Sequence, residues 1–254
     1  MTTGAGFASN FNNFLYAYLH AKRNNKPLHV YDLNSIISPN YRMLQETFSP
    51  PSDIVYTTTP AIGQSHSYTS MIRARTLSVQ NGTLQKEAKK LFNLTPPMES
   101  RIQVILKQHN FPTFDLGVHI RSGDKVSSKE MESIPIDTYV KEIKANPTTK
   151  NVFVMTDDAA LVDALKMKVP PSITIHSMSQ TPCKTAHDQT IFNRLPDDIK
   201  LDAYILFLAE LYVMQRIPRI VCTFSSNIGR YLYLTTTVEG ASFKSLDMKD
   251  YVPL

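Results

Sequence analysis

The run Val118-His-Ile-Arg-Ser-Gly-Asp-Lys125 gathers more reactive chemistry than any other stretch of the chain. An apolar run ends there by delivering His119, Arg121, Asp124 and Lys125 into a turn around Gly123. Strand alternation puts His119 and Arg121 on one face. An arginine fork and a lysine point charge beside a glycine turn suit a diphosphate, although a self-paired charge cluster at a strand end would look the same. A second run, Val152-Phe-Val-Met-Thr-Asp-Asp158, ends in two acids at an expected helix start, where Thr156 or Asp157 as N-cap and Asp158 against the helix dipole account for both residues. In the third, Val221-Cys-Thr-Phe-Ser-Ser-Asn227, Ser225 and Ser226 offer hydroxyls and backbone N–H groups for a phosphate, or simple helix capping. Glu210 is the fourth candidate. It is the odd residue on a helical stripe of Ala203, Leu206, Phe207 and Met214, where a buried carboxylate needs a partner. Either two adjacent N–H donors, such as the edge of guanine, or a nearby arginine would supply one.

The elements that must position these residues alternate. Runs at 27–33, 53–58, 114–120, 151–156, 172–176 and 219–224 read as strands, and 11–23, 66–76, 82–92, 97–109, 137–145, 159–168, 197–216 and 226–237 as helices. A Pro- and Ser-rich stretch from 38 to 53 reads as irregular. Such alternation implies βαβ units and a mostly parallel α/β sheet. Residues 110–113 form the candidate linker between two Rossmann-like halves, 1–110 and 114–254. Ligands of such folds lie beyond the carboxyl ends of the strands.

Composition narrows the class. The 254 residues hold 42% hydrophobic residues, which excludes wholesale disorder, and carry a formal net charge of +5. The basic residues are scattered, which suits an anionic small molecule at least as well as nucleic acid, and no nucleic-acid partner is expected. No window approaches the ~18 apolar residues of a membrane span, and the start lacks a basic region followed by an apolar one. The expected location is therefore cytoplasmic, for a chain that is trimmed or divergent at its start or is one module of a larger protein. The two cysteines, Cys183 and Cys222, are far apart and exclude a disulfide framework. No Asp-x-Asp and no metal-ligand spacing occurs, so no metal or other cofactor is expected.

Together the blocks 119–125, 153–158 and 222–227 resemble, in order and approximate spacing, the three conserved blocks of the α1,6-fucosyltransferases. That family includes the core fucosyltransferase of N-glycans and the rhizobial nodulation enzyme. Phe243-Lys-Ser-Leu-Asp247 is similar to the family's tail. Gly6-Phe-Ala-Ser-Asn-Phe-Asn-Asn-Phe14, which contains Asn10, is similar to a glycine loop shared with protein O-fucosyltransferases. The resemblance implies an α/β fold of the GT-B type, with two Rossmann-like domains facing across a cleft. It implies an inverting, metal-independent transferase that carries fucose from GDP-fucose to a glycan.

By the same resemblance the half 1–110 lies on the acceptor side and 114–254 binds the nucleotide sugar. Arg121 then falls on the donor phosphates, His119 and Glu210 on guanine, and Ser225 and Ser226 on the phosphates, while Lys125 joins them from its place at the glycine turn. Asp158 and Asn10 fall within the donor-binding set. Ser122 stands where the family often has a second arginine, and Glu210 where it usually has Asp. The family base falls within one residue of Glu130, with Glu132 and Asp124 as the other acids in reach. Two further readings stand beside this one: the same fold with another nucleotide-sugar donor, and a nucleotide-binding protein without catalysis.

Overall fold

The computed structural model describes residues 6–32, 35–59, 83–122, 133–179 and 188–248. The first helix, α1 (Phe7–Arg23), buries Phe11, Phe14, Leu15, Tyr18 and Leu19, the stripe expected from helical spacing. Two short strands, β1 (Leu28–Tyr31) and β2 (Ile54–Thr57), pair in parallel. Between them the stretch read as irregular holds a short helix, α2 (Met43–Thr47). Its N-terminal amides are satisfied from a distance, because Asp32 at the end of β1 accepts from Leu44 N (2.6 Å) and Gln45 N (2.9 Å). Such a cap leaves no local sequence signal. The helices α3 (Thr83–Leu91) and α4 (Pro96–His109) follow. In α4, Thr95 caps Met98 N, proline opens the first turn, and Asn110 closes the helix in the left-handed region at φ 46°. The helix expected at 66–76 lies outside the described residues.

The second half builds a five-stranded parallel sheet from β3 (Leu116–Ile120), β4 (Asn151–Thr156), β5 (Thr174–His176), β6 (Arg219–Cys222) and β7 (Ser242–Ser245). Its order is β5-β4-β3-β6-β7. The crossovers are α5 (Ile136–Lys144), α6 (Ala159–Lys168), α7 (Gln189–Asn193) with α8 (Asp197–Met214), and α9 (Asn227–Thr235). From β3 the chain winds outward to β5, then returns to lay β6 on the other side of β3. The order therefore reverses between β3 and β6, and such a switch point opens a crevice at the carboxyl ends of the strands. The short α7 and the edge strand β7 were not among the expected elements.

Strand alternation divides the packing. Leu116, Val118 and Ile120 join Tyr139, Val140, Ile143 and Leu165 in a core beneath α5 and α6. The opposite face meets α8, where a Cβ on Gly117 would lie 2.9 Å from Met214 Sδ. The larger core is shared by both halves of the chain: the Phe11 ring lies 5.0 Å from Phe48, 5.9 Å from Phe92, 6.4 Å from Tyr204 and 5.4 Å from Tyr231. Among the described residues no helix is long and apolar enough to cross a membrane.

Candidate donor-binding site at the strand switch point

The reversal between β3 and β6 brings two of the expected blocks side by side, with the third one strand away. Arg121 follows directly on β3 and forms an ion pair with Asp157, which follows directly on β4; both side chains are largely buried. The same carboxylate accepts from Ser122 N at 2.8 Å. Asp157 thus ties the two strand ends together and orients the guanidinium, a role that neither capping nor spacing suggested. The N-cap of α6 is Asp158, not Thr156 or Asp157 as expected, its side chain accepting from Ala160 N at 3.1 Å, because the Asp157 carboxylate is turned to Arg121 and Ser122.

His119 shares the α8-facing side of β3 with Gly117 and is 1% exposed. Burial, helped by the nearby Arg121 charge, pushes its pKa down to about 3, so the ring is neutral at physiological pH. Its Nδ1 is buried with no hydrogen-bond partner among the described residues, which is uncommon for an interior polar atom.

Glu210 lies on the helix covering that face. As the crossover from β5 to β6, α8 runs antiparallel to β3. One turn back from Met214 to Glu210 therefore parallels the step from Gly117 to His119. The hydrogen bonds agree: Glu210 Oε1 accepts from Ser179 Oγ at 2.7 Å, and Ser179 Oγ accepts at 2.9 Å from the N–H of Thr156, which is in register with Ile120. No cation pairs with Glu210 among the described residues, so the arginine partner considered from sequence is absent there. Burial raises its pKa to about 8 despite the Ser179 hydrogen bond.

The serine block opens α9. Ser226 is its N-cap and accepts from Ile228 N at 3.2 Å. The N–H of Ser225 donates to Asp247 Oδ2 at 3.1 Å, and that of Phe224 to Asp247 Oδ1 at 2.8 Å. Burial alone would raise the pKa of Asp247, but the hydrogen bonds it accepts outweigh that and hold it below the usual carboxylate range. Buried Arg230 donates from Nε to Phe224 O (2.6 Å) and from Nη2 to Ser225 O (2.7 Å). The glycine-loop helix docks at the same point, since Asn12 Nδ2 donates to Asn227 O (3.2 Å) and Asn227 Oδ1 (3.1 Å). Asn10 is buried one turn-half earlier on α1. Asp124, Lys125, Glu130 and Glu132 lie outside the described residues.

Sequence reading offers Asp157 only as a helix cap, and it does not single out Ser179, Arg230, Asp247 or Asn12. Asp247 ends the quoted run Phe243–Asp247, but an isolated charge carries no signal until the strands are ordered. No group of three or more His, Cys, Asp or Glu side chains among the described residues is arranged to hold a metal ion. A separate cavity of about 610 Å³, lined by Phe111, Phe114, Tyr212, Arg216 and Arg219 among others, lies at the opposite, amino-terminal edge of the sheet.

No family model matches the chain. It is similar to the Alpha-(1,6)-fucosyltransferase of Drosophila melanogaster, at 27% identity over 144 residues. That match covers 52% of this chain and 22% of the fruit-fly protein's own length. NodZ alpha-1,6-fucosyltransferase soaked with GDP-fucose has a similar structure, with a TM-score of 0.58 at 14% identity over 91% of this chain and 89% of that one. Fucosyltransferase NodZ from Bradyrhizobium gives 0.55 at 14% identity over 91% and 90%. The fold is therefore α/β of the GT-B kind. Within that class the chain is similar to the α1,6-fucosyltransferases, over part of its length in sequence and over most of it in fold.

Proposed function

We propose that this chain forms the catalytic unit of a glycosyltransferase that moves fucose from GDP-fucose to a glycan hydroxyl. In this reading the anomeric carbon is inverted and no metal takes part. The observation that carries it is the convergence of Arg121, neutral His119, Glu210 and the Ser226-capped helix at one sheet edge, in a fold shared with a NodZ structure soaked with GDP-fucose.

Arg121, oriented by Asp157, meets the diphosphate, and the Ser226 hydroxyl and the start of α9 supply further donors. These groups stabilise the departing phosphate while the sugar passes through an oxocarbenium-like state. His119 and Glu210 meet guanine. The paired N–H donors of guanine favour the ionised carboxylate, so binding draws the Glu210 pKa down from about 8 and releases a proton. Ser225, Asn10 and Asp158 border the donor, Lys125 adds a second cation, Asp124 orients the two cations, and Glu130 takes the proton of the acceptor hydroxyl.

The test is sugar transfer and nucleotide release with EDTA present, across a panel of GDP- and UDP-sugars. GDP-fucose is expected to be the preferred donor. Arg121→Ala and Glu130→Gln should each lower turnover at least about 10²-fold, the latter with GDP affinity kept. Preference for a UDP-sugar would overturn the donor, and activity only with added Mn²⁺ or Mg²⁺ would overturn metal independence. A Glu132→Gln variant that alone shows the loss would move the base by two residues.

A further inference from the structure

The turn between β6 and α9 is held by two charged side chains that the reading above leaves without a role. Asp247 takes the N–H groups of Phe224 and Ser225, at 2.8 and 3.1 Å, while Arg230 takes the carbonyl oxygens of the same two residues, at 2.6 and 2.7 Å. Donors and acceptors of both residues are thus fixed from opposite sides. Ser245 Oγ donates to Asp247 Oδ1 at 2.6 Å and accepts from Phe224 N at 3.0 Å, which ties the grip to the last residue of the edge strand β7.

The arrangement decides what the turn can offer an anion. The Phe224 and Ser225 amides are spoken for by Asp247, so among the backbone N–H groups of the turn an incoming phosphate is left with those at the start of α9, beside the Ser226 hydroxyl. Ser226 Oγ accepts from Ile228 N, and its own proton is the donor a phosphate oxygen would take. Arg230 sits in the first turn of α9, where a cation opposes the helix dipole. An anion bound at that helix start would relieve the opposition.

We infer that Asp247 and Arg230 are positioning residues for the donor diphosphate, acting through the Phe224–Ser225 turn to fix the Ser226 hydroxyl and the N-terminus of α9. The inference rests on the GDP-sugar reading above. It is tested by amide hydrogen exchange over residues 223–227, by calorimetric titration with GDP and by donor kinetics, on the wild-type chain, Asp247→Ala, Asp247→Asn and Arg230→Lys. Asp247→Ala should lose exchange protection at Phe224 and Ser225, weaken GDP at least about tenfold, and raise the donor KM with a smaller change in kcat. Asp247→Asn keeps one acceptor oxygen and should fall between Ala and wild type, and Arg230→Lys, which loses the fork, should weaken GDP similarly. Protection lost with GDP affinity unchanged would overturn the inference, as would Asp247→Asn matching wild type in both measurements should the Ala variant not fold. A wild-type chain that does not bind GDP would overturn the donor reading first, and the diphosphate role with it, while the exchange data would still report the clamp itself.

Discussion

A buried carboxyl whose only described partner is a hydroxyl is the most telling residue of this molecule. Glu210 is 6% exposed, accepts from Ser179, and has its pKa raised by burial to about 8. The native state therefore holds a proton between about pH 4.5 and 8 that the unfolded chain releases, so stability falls as pH rises through that window. Glu210→Gln keeps an oxygen for Ser179 and removes the titration. Its stability should be nearly flat across the window and exceed that of wild type at pH 8.5 by on the order of a few kcal/mol. Urea unfolding at pH 5, 7 and 8.5 checks this, and a wild-type curve that parallels the variant would show that Glu210 is ionised in the native state. His119 has the opposite sign: with its pKa depressed to about 3, stability contributed by keeping it neutral is lost as pH falls from about 6.5 toward 3. At this scale the sequence carried much of the site, because strand-end polar residues and a lone acid on an apolar stripe are visible as residue types. It did not carry partners. Nothing near Arg121 in the chain points to Asp157, 36 residues on, and nothing near Glu210 points to Ser179.

Elements were legible where their cause is local. α1 and α4 announce themselves through an apolar stripe and a Thr-Pro-Pro start, and β3, β4 and β6 through buried β-branched runs. Those whose stability comes from elsewhere were not. The α2 helix is capped by Asp32, eleven residues before it begins, and β7 is a half-exposed edge strand whose Ser-Phe-Lys-Ser sequence has little β character. Sequence also gave no warning of how tightly α9 leaves the sheet. A Cβ at Gly229 would stand 2.1 Å from Thr223 O and 3.4 Å from Cys222 Sγ. The nearest obstacle is backbone of the strand-to-helix turn, so it cannot move aside as a flexible side chain would. Gly229→Ala must push α9 away from β6 and is expected to cost about 1–3 kcal/mol, the range for overpacking, although alanine is the better helix former. Chemical denaturation measures the loss. A stability gain of about 1 kcal/mol, as helix propensity alone would give, would mean that the turn is looser than described.

At the scale of the whole molecule, the segment at 110–113 separates two halves in sequence but not in packing. Phe11 and Phe14 on α1, Phe48 after α2 and Phe92 after α3 belong to the same core as Tyr204 and Leu208 on α8 and Tyr231 and Leu232 on α9. Polar contacts cross at the same place, with Thr47 Oγ1 and the Tyr204 hydroxyl 2.7 Å apart and Asn12 bonded to Asn227. The second core, beneath α5 and α6, is built from the later half alone. Two outcomes can therefore be told apart. If the shared core makes the chain one cooperative unit, Phe11→Ala should destabilise all of it by about 3–5 kcal/mol, the usual loss for a buried aromatic. The far-ultraviolet circular dichroism and tyrosine fluorescence transitions should then stay coincident. Tyrosine is the natural probe because the chain has 12 tyrosines and no tryptophan. Tyr139 in particular reports the second core, which Phe11 does not touch. Were the later half stable by itself, Phe11→Ala would split unfolding into two steps and leave the Tyr139 region at its wild-type midpoint. Coincidence would also explain how the donor edge stays in register: α1 presses directly on α9, so a loss in the first half reaches the Ser226 helix start through packed side chains and not through the linker.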